Sequence, residues 1–227
     1  MSLTTTSLTR AAGLCAVAGG LLFIAVQINH PPVNLALVTT PEWAIRETMK
    51  ISMAVLTLIG IAGMYLSQVR KNGWVGLLGY LILSAGFLMM LTVEVAGLVV
   101  MPAIAGSAPG YVSSVLAVAN NGTGTQDIGL MAPLNLLVGL GYMGGGLVFG
   151  IGLFRAKVLT RWGSLFLAVA TPLSALIPLL PQINQRLFAV PTGLALIVLG
   201  VSLWRQSRSR AAITTQTTAS LVTAAVQ

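Results

Sequence analysis

Six long runs of apolar residues, separated by short polar segments, constrain this chain more than any other feature. An α-helix of roughly 20 apolar residues crosses the hydrocarbon core of a bilayer, which is about 30 Å thick. The predicted spans are 11–29, 48–69, 74–100, 129–154, 162–180 and 187–205. Only 7% of the residues are charged, whereas soluble domains carry about 25%. The sequence therefore predicts an all-α, polytopic membrane bundle of six transmembrane helices in residues 1–210.

Two segments depart from this pattern. Pro172, Pro178 and Pro181 interrupt the fifth run, and a proline inside a span is tolerated where neighbouring helices supply partners for the freed carbonyl groups. The last residues, 211–227, carry no charge and are rich in alanine and threonine. This segment is too polar to span a bilayer, so we predict a weakly ordered C-terminal tail.

Lysine and arginine indicate the orientation of the bundle, because cytoplasmic loops are enriched in both. One predicted side holds nine of them: Arg10, Arg70, Lys71, Arg155, Lys157, Arg161, Arg205, Arg208 and Arg210. The other side holds three: Arg46, Lys50 and Arg186. Both termini are therefore predicted to be cytoplasmic. This bias accounts for the net charge of +8 without nucleic acid, since no basic groove with interleaved aromatic residues is visible.

Two outer segments carry helix signals. Thr40 before Pro41 and Glu42 is typical of a helix start, with a hydroxyl cap, a proline in the first turn and an acid near the positive end of the dipole. Trp43 is expected to mark the membrane interface. In the loop 101–128, apolar residues recur at i, i+3, i+4 and i+7, namely Val112, Val115, Leu116 and Ala119. This spacing predicts a short helix on the outer face, or a shallow re-entrant one.

Glu94 is the only acidic residue well inside a predicted span. It lies about 30 Å of helix beyond Trp74, which marks the inner interface, so we place it near the outer end. Counting along the two antiparallel helices joined at 70–73 places Lys50 level with Glu94, where an ion pair would lower the cost of burying either charge. The pair either fixes helix register or gives Glu94 a proton- or cation-linked role. Snorkelling of both charges to the headgroups is the third explanation.

Nearly all unusual polar residues fall in the outer third of the bundle. Helix counting brings Asn135 beside Gln182, where the two amides are expected to interact across helices. The candidate binding residues are Glu94, Lys50, Glu47, His30, Asn135, Gln182 and Asp127. They predict a polar vestibule that opens outward, although the ends of membrane helices are commonly polar without any site.

Several classes of chemistry lack the residues they need. The sequence has no H-E-x-x-H motif and no nucleophile elbow with partner residues, so no catalytic residue is assigned. His30 is the only histidine, whereas a zinc site needs three or four ligands and a b-type haem usually needs paired axial ligands. Cys15 is the only cysteine. We therefore expect neither an enzyme nor a bound metal or cofactor.

Small residues line faces of the fourth and first predicted spans. Gly141 with Gly145, and Gly146 with Gly150, form two GxxxG pairs that allow close helix approach. The first span carries a similar stripe of Ala12, Ala16 and Gly20. These faces are predicted to build the bundle core. A homo-oligomer contact, or a contact with another membrane protein, is the alternative.

Three local sequences carry a resemblance to other small membrane proteins. They are the segment from Gly13-Leu14 to Gly19-Gly20, the turn Arg70-Lys71-x-Gly73-Trp74, and Leu153-Phe154-Arg155. Through them, and over most of its length, the chain resembles small six-span bacterial membrane proteins of uncharacterised function. The resemblance implies a multi-pass protein, and we expect it in the bacterial plasma membrane. It brings no active site, so no functional residue is carried over.

The polar outer end leads to the main functional hypothesis. We expect an integral membrane protein that binds or passes a small solute, ion or lipid through an outward-facing vestibule. The alternative is a non-catalytic scaffold or assembly subunit of a larger membrane complex, which the small-residue faces favour. Membrane lipid is the partner that the apolar spans themselves require.

Overall fold

The computed structural model describes residues 4–28, 30–31, 33–120, 122–179 and 189–225, and this part of the chain is helical without a strand. Five helices are long and apolar enough to cross a membrane. They are Thr5–Ala25, Pro41–Leu66, Val69–Ile104, Met131–Ala156 and Ala189–Ser207. The chain is therefore an all-α, multi-pass membrane protein.

The elements follow one another with short connections. The α-helices are α1 Thr5–Ala25, α2 Leu35–Val38, α3 Pro41–Leu66, α4 Val69–Val95, α5 Met101–Ile104, α6 Pro109–Ala119, α7 Met131–Ala156, α8 Arg161–Leu173 and α9 Ala189–Ala225. A π-helical turn at Ala96–Val100 joins α4 to α5, and a 3-10 helix at Ser174–Leu179 follows α8. Inside α4 the backbone is kinked at Gly73, whose φ of 56° lies in the left-handed region that favours glycine.

The fifth predicted span, 162–180, is not one continuous α-helix. Helix α8 has 13 residues, a length of about 20 Å, which is too short to cross the hydrocarbon core alone. The α-helix gives way to a 3-10 helix directly after Pro172 and Leu173. A proline lacks the backbone N–H that would continue the α-helical ladder, so the interruption predicted from the prolines is present.

Some helices are longer than the apolar runs from which they were predicted, because a polar cap begins the helix before the run. Helix α1 begins at Thr5 rather than near residue 11, because Thr4 accepts a hydrogen bond from the Ser7 amide at 3.1 Å. Helix α3 begins at Pro41 as predicted, with Thr40 accepting from the Trp43 amide at 3.3 Å. Helix α9 continues to Ala225. The predicted weak order of the tail concerns its mobility and stays a prediction.

The long helices and α8 form a closed ring in chain order. Each of α1, α3, α4, α7, α8 and α9 packs against the next, and α9 returns to α1. Neighbours are antiparallel: Gly13 of α1 lies against Gly200 of α9, and Gly20 lies against Gly193. Thr5 and Gln206 consequently line one cavity at the same end of the ring. The N-terminus of α1 and the region around Gln206 therefore share one end of the bundle.

The predicted small-residue faces are buried inside this ring. Gly141 and Gly145 lie against α4, and Gly146 and Gly150 lie against α8. A Cβ atom at Gly86 would come within 2.7 Å of the Gly141 carbonyl carbon, so the α4 and α7 backbones are in direct contact. Ala12, Ala16 and Gly20 are buried as well. Within the described chain α4 and α8 cover the four α7 glycines. The alternative, a homo-oligomer or membrane-protein contact through these glycines, stays a prediction.

A second, smaller apolar cluster covers the end of the ring that the sequence predicts to face outward, which is called the outer end below. The predicted helix in the loop 101–128 is present as α6, with Val112, Val115 and Leu116 buried. These residues pack on α2 and the start of α3, including the Trp43 indole. Trp43 is only 5% exposed, so it packs inside the protein, and its position at the level of the membrane interface stays a prediction. Helix α6 therefore covers the outer ends of α3 and α4.

Candidate functional site

Lys50 connects two carboxylates at the outer end of α3 and α4. Its Nζ lies 2.6 Å from Oε1 of Glu47, one turn earlier on α3, and 3.0 Å from Oε2 of Glu94 on α4. The ion pair with Glu94 that helix counting predicts is therefore present. Glu47 is 2% exposed and Glu94 17%, so the carboxylates are largely shielded from solvent.

The local backbone explains why these groups meet. Glu47 and Lys50 are three residues apart on α3, so their side chains share one helix face. Glu94 stands near the end of α4, directly before the π-helical turn at Ala96–Val100. The Trp43 indole Nε1 donates a 2.8 Å hydrogen bond to the Gly97 carbonyl inside that turn. The bond ties α3 to the irregular segment of α4, and π-helical turns frequently occur at functional sites.

A cavity of about 410 Å³ opens beside these charges. Five of the seven predicted binding residues line it, namely His30, Glu47, Lys50, Glu94 and Asn135. The volume lies within the usual range of small-molecule sites, about 300–1,000 Å³. The structure thus brings most of the predicted vestibule residues to one cavity.

The other two predicted residues are not found there. Asp127 is exposed in the loop before α7, where its Oδ1 accepts a 2.8 Å hydrogen bond from the Gly129 amide. That contact stabilises a turn, and Asp127 does not line the cavity. Gln182 lies outside the described residues, so its predicted interaction with Asn135 stays a prediction. The Asn135 amide nitrogen donates instead to the Met131 carbonyl of its own helix, at 2.9 Å.

Charge at this cavity is unbalanced among the described residues. When both carboxylates are ionised, Glu47 and Glu94 carry two negative charges, and Lys50 supplies one positive charge. The nearby Arg46 does not line the cavity; it pairs with the exposed Glu42 at 3.0 Å and donates to the Val26 carbonyl at 3.3 Å. With neutral His30, the group has a formal charge of −1. An uncompensated charge away from bulk water is costly, so the cavity favours a further positive charge, either a bound cation or a proton on one carboxylate.

Aromatic and sulfur side chains line the cavity beside the charges. The Lys50 Nζ lies 5.6 Å from the centre of the Trp43 ring, within the range of a cation–π interaction. Phe23, Met53 and Met90 line the same cavity. The Phe23 ring stacks on Tyr142 of the ring core, at 6.1 Å between centroids. The cavity thus combines negative charge with aromatic and soft apolar surface.

Sequence reasoning missed three contributors to the site. Trp43, Gly97 and Asn120 all line the cavity. Trp43 follows a helix cap and resembles an interfacial tryptophan in sequence, whereas its burial depends on α6. Gly97 gains its role from the π-helical turn, for which the sequence has no local signal. Asn120 lies at the end of α6, and the predicted helix offered the one indication of its position.

The site does not hold the ligand set of a metal centre. No group of three or more His, Cys, Asp or Glu side chains comes together among the described residues. The polar groups that converge are two carboxylates, an amine, an imidazole and amides. Such a set is suited to binding a small cation or exchanging a proton. No family model, curated protein or solved structure matches this chain.

Proposed function

We propose that the protein binds a small monovalent cation, with organic ammonium ions as the first class, in its outer vestibule. The observation that carries the proposal is the group of Glu47, Glu94 and Lys50 in one cavity. The two bonded carboxylate oxygens lie at most 5.6 Å apart, since both contact the same Nζ atom. Two carboxylates this close repel each other, and a second cation beside Lys50 relieves the repulsion.

The remaining lining supports an organic ammonium ion. An indole ring and a phenyl ring offer negative π-faces, which attract ammonium groups. A cavity of about 410 Å³ is larger than a bare alkali ion requires. The absence of a three-ligand acidic cluster among the described residues disfavours a divalent ion, which needs several oxygen ligands.

Binding from one side is better supported than open conduction. Below the cavity, Phe87 and Tyr142 pack edge to face at 6.3 Å between ring centroids. The Tyr142 hydroxyl lies 2.6 Å from the Thr192 hydroxyl in the buried core. A solute passing through the helix bundle would have to separate the aromatic side chains of Phe87 and Tyr142. The proposed function is therefore capture at the outer end, with passage requiring a rearrangement of this layer.

We also propose six crossings with both termini in the cytoplasm of a bacterial cell. Thirteen α-helical residues and six 3-10 residues give 161–179 a length of about 31 Å, close to the thickness of the hydrocarbon core. The shared end of α1 and the Gln206 region supports an even number of crossings. The nine-to-three bias of basic residues supports a cytoplasmic location for that end.

The alternative hypothesis, a non-catalytic scaffold or assembly subunit, stays a prediction. Its motivating feature was the set of small-residue faces on α1 and α7. Within the described chain those faces are covered by neighbouring helices. We therefore propose no second function.

The test is a direct titration of the full chain in lipid nanodiscs. Tetramethylammonium is added during calorimetry, and tert-butanol serves as its neutral counterpart of similar shape. We expect saturable heat with the cation alone. Glu94→Gln and Glu47→Gln each keep the side-chain shape and remove one charge, so each should weaken binding by about tenfold or more. A weakly buffered solution with a pH dye reports any proton released as the cation binds.

The matched control is Glu42→Gln on the same helix. Glu42 pairs with Arg46 on the surface and does not line the cavity. Its replacement should leave the affinity within about twofold. The proposal is refuted if neither tetramethylammonium nor sodium or potassium binds, or if Glu42→Gln weakens binding as much as Glu94→Gln.

A further inference from the structure

A second polar cavity lies at the opposite end of the ring. It has a volume of about 560 Å³ and lies between the α3–α4 turn and the end of α7. Three cationic side chains, Arg70, Lys71 and Lys157, line it. All four acidic side chains of the sequence, Glu42, Glu47, Glu94 and Asp127, belong to the outer end. Three positive charges thus surround one cavity without a neighbouring acidic side chain.

Gln68 is the buried polar group of this cavity. It is 3% exposed, and it lines the cavity together with the three cations. Neither atom of its amide has a hydrogen-bond partner among the described residues. Buried amides are normally paired, and each unpaired one needs an explanation. A ligand oxygen in the cavity would accept from the Gln68 amide nitrogen and supply one of the two missing partners.

Lys157 occupies a backbone position that does not suit a lysine. Its φ of 56° and ψ of 30° place it in the left-handed conformation that ends α7, and it is the one non-glycine residue with positive φ in the described ranges. Glycine is strongly preferred at such helix ends. A glycine here would remove the backbone strain but would carry no charge. The lysine therefore adds a positive charge to the cavity at the cost of backbone strain.

From this arrangement we infer that the inner cavity binds a phosphate group. Arginine and lysine together are the usual phosphate-binding side chains, and Gln68 adds a neutral donor. Trp74, directly after the Gly73 kink of α4, and Trp162, the second residue of α8, are both strongly exposed, at 78% and 80%. Exposed tryptophans settle at the headgroup level of a bilayer. The phosphate therefore belongs either to an anionic lipid headgroup or to a free phosphate compound that reaches the same level.

Two variants separate binding from folding. Gln68→Met removes the unpaired amide and keeps the side-chain length, and Lys157→Gly removes the charge and relieves the positive φ. Without ligand, both should melt at or above the wild-type temperature, by up to about 2–4 °C. Both should nevertheless weaken phosphate binding by about tenfold or more. A purely structural role for either residue would not couple higher stability to lost binding.

The experiment uses the delipidated full chain in neutral detergent. One arm titrates inorganic phosphate against chloride at equal ionic strength and follows thermal unfolding. The other arm counts bound phosphatidylglycerol against phosphatidylcholine by native mass spectrometry. Phosphate stabilisation identifies a free phosphate ligand, and selective phosphatidylglycerol binding identifies a lipid headgroup. Either result supports the site, provided that both variants lose the corresponding binding.

The control is Arg155→Gln, two residues before Lys157 on the exposed surface of α7 and outside the cavity lining. It removes one positive charge from the same end of the bundle and should keep the affinity within about twofold. The inference is overturned if neither ligand binds the wild type. It is also overturned if Arg155→Gln loses as much affinity as Lys157→Gly, since the binding would then depend on net charge alone.

Discussion

At the scale of single residues, Lys50 holds the outer site together. Among the residues that the structure describes, it is the one lysine or arginine that lines the outer cavity, and it bonds to both Glu47 and Glu94. A buried ion pair adds little net stability, but removal of one member leaves the other charge unpaired. The three side chains are therefore interdependent, and the effects of their replacement will not be additive.

Replacement of Lys50 by methionine should be strongly destabilising. Lys50→Met leaves two carboxylates together in a mostly buried place, which should lower the free energy of unfolding by about 3 kcal/mol. The double variant Lys50→Met with Glu47→Gln also removes one of the two unpaired carboxylate charges. It should recover more than half of the lost free energy of unfolding. Thermal unfolding in detergent measures both. Arg10→Met, at an exposed cation on α1, should change stability by less than about 0.5 kcal/mol. Equal losses for the single and double variants would contradict the interdependence.

At the scale of elements, the sequence predicted what depends on straight, antiparallel helices. Counting across the α3–α4 turn placed Lys50 beside Glu94, because the rise per residue of two helices joined by a short turn fixes their register. The sequence did not reveal that α1 extends to Thr5, because a hydropathy pattern marks where a helix enters the lipid and not where the helix begins. The π-helical turn at Ala96–Val100 was also missed. It is stabilised by the Trp43 contact to Gly97, which exists only in the folded chain.

Adjacent glycines of α7 allow a matched test of helix packing. A Cβ at Gly145 would meet the backbone of Leu83 on α4, whereas a Cβ at Gly144 meets nothing within 4 Å. Gly145→Ala should therefore destabilise the bundle by about 1–3 kcal/mol through overpacking. Gly144→Ala should be neutral or stabilising by up to about 1 kcal/mol, since alanine favours helix. Thermal unfolding of the two variants measures the difference. Destabilisation of the same size in both would show that the α4–α7 contact is looser than described.

At the scale of the whole molecule, chemistry is divided between the two ends of the ring. The outer end holds the acidic cavity with Glu94, and the inner end holds the basic cavity with Lys157. Aromatic side chains of the buried core, including Tyr142 and Phe149, lie in the layer between them. Sites separated by a packed core and without shared partners respond independently to mutation. Glu94→Gln should accordingly leave the inner cavity unaffected, and Gln68→Met the outer one.

The number of crossings determines whether the two terminal regions of the chain face the same compartment, as proposed. Single cysteines are placed in a Cys15→Ala background at three exposed positions, Ser107, Arg10 and Arg205, and intact bacterial cells are treated with a membrane-impermeant maleimide. Six crossings place Ser107 outside and both arginines inside, so only Ser107→Cys should react before the cells are permeabilised. If 161–179 did not cross, Arg10→Cys and Arg205→Cys would differ in reactivity. Equal protection of the two positions is expected because α1 and α9 are antiparallel and share one end of the ring, which an odd number of crossings would not allow.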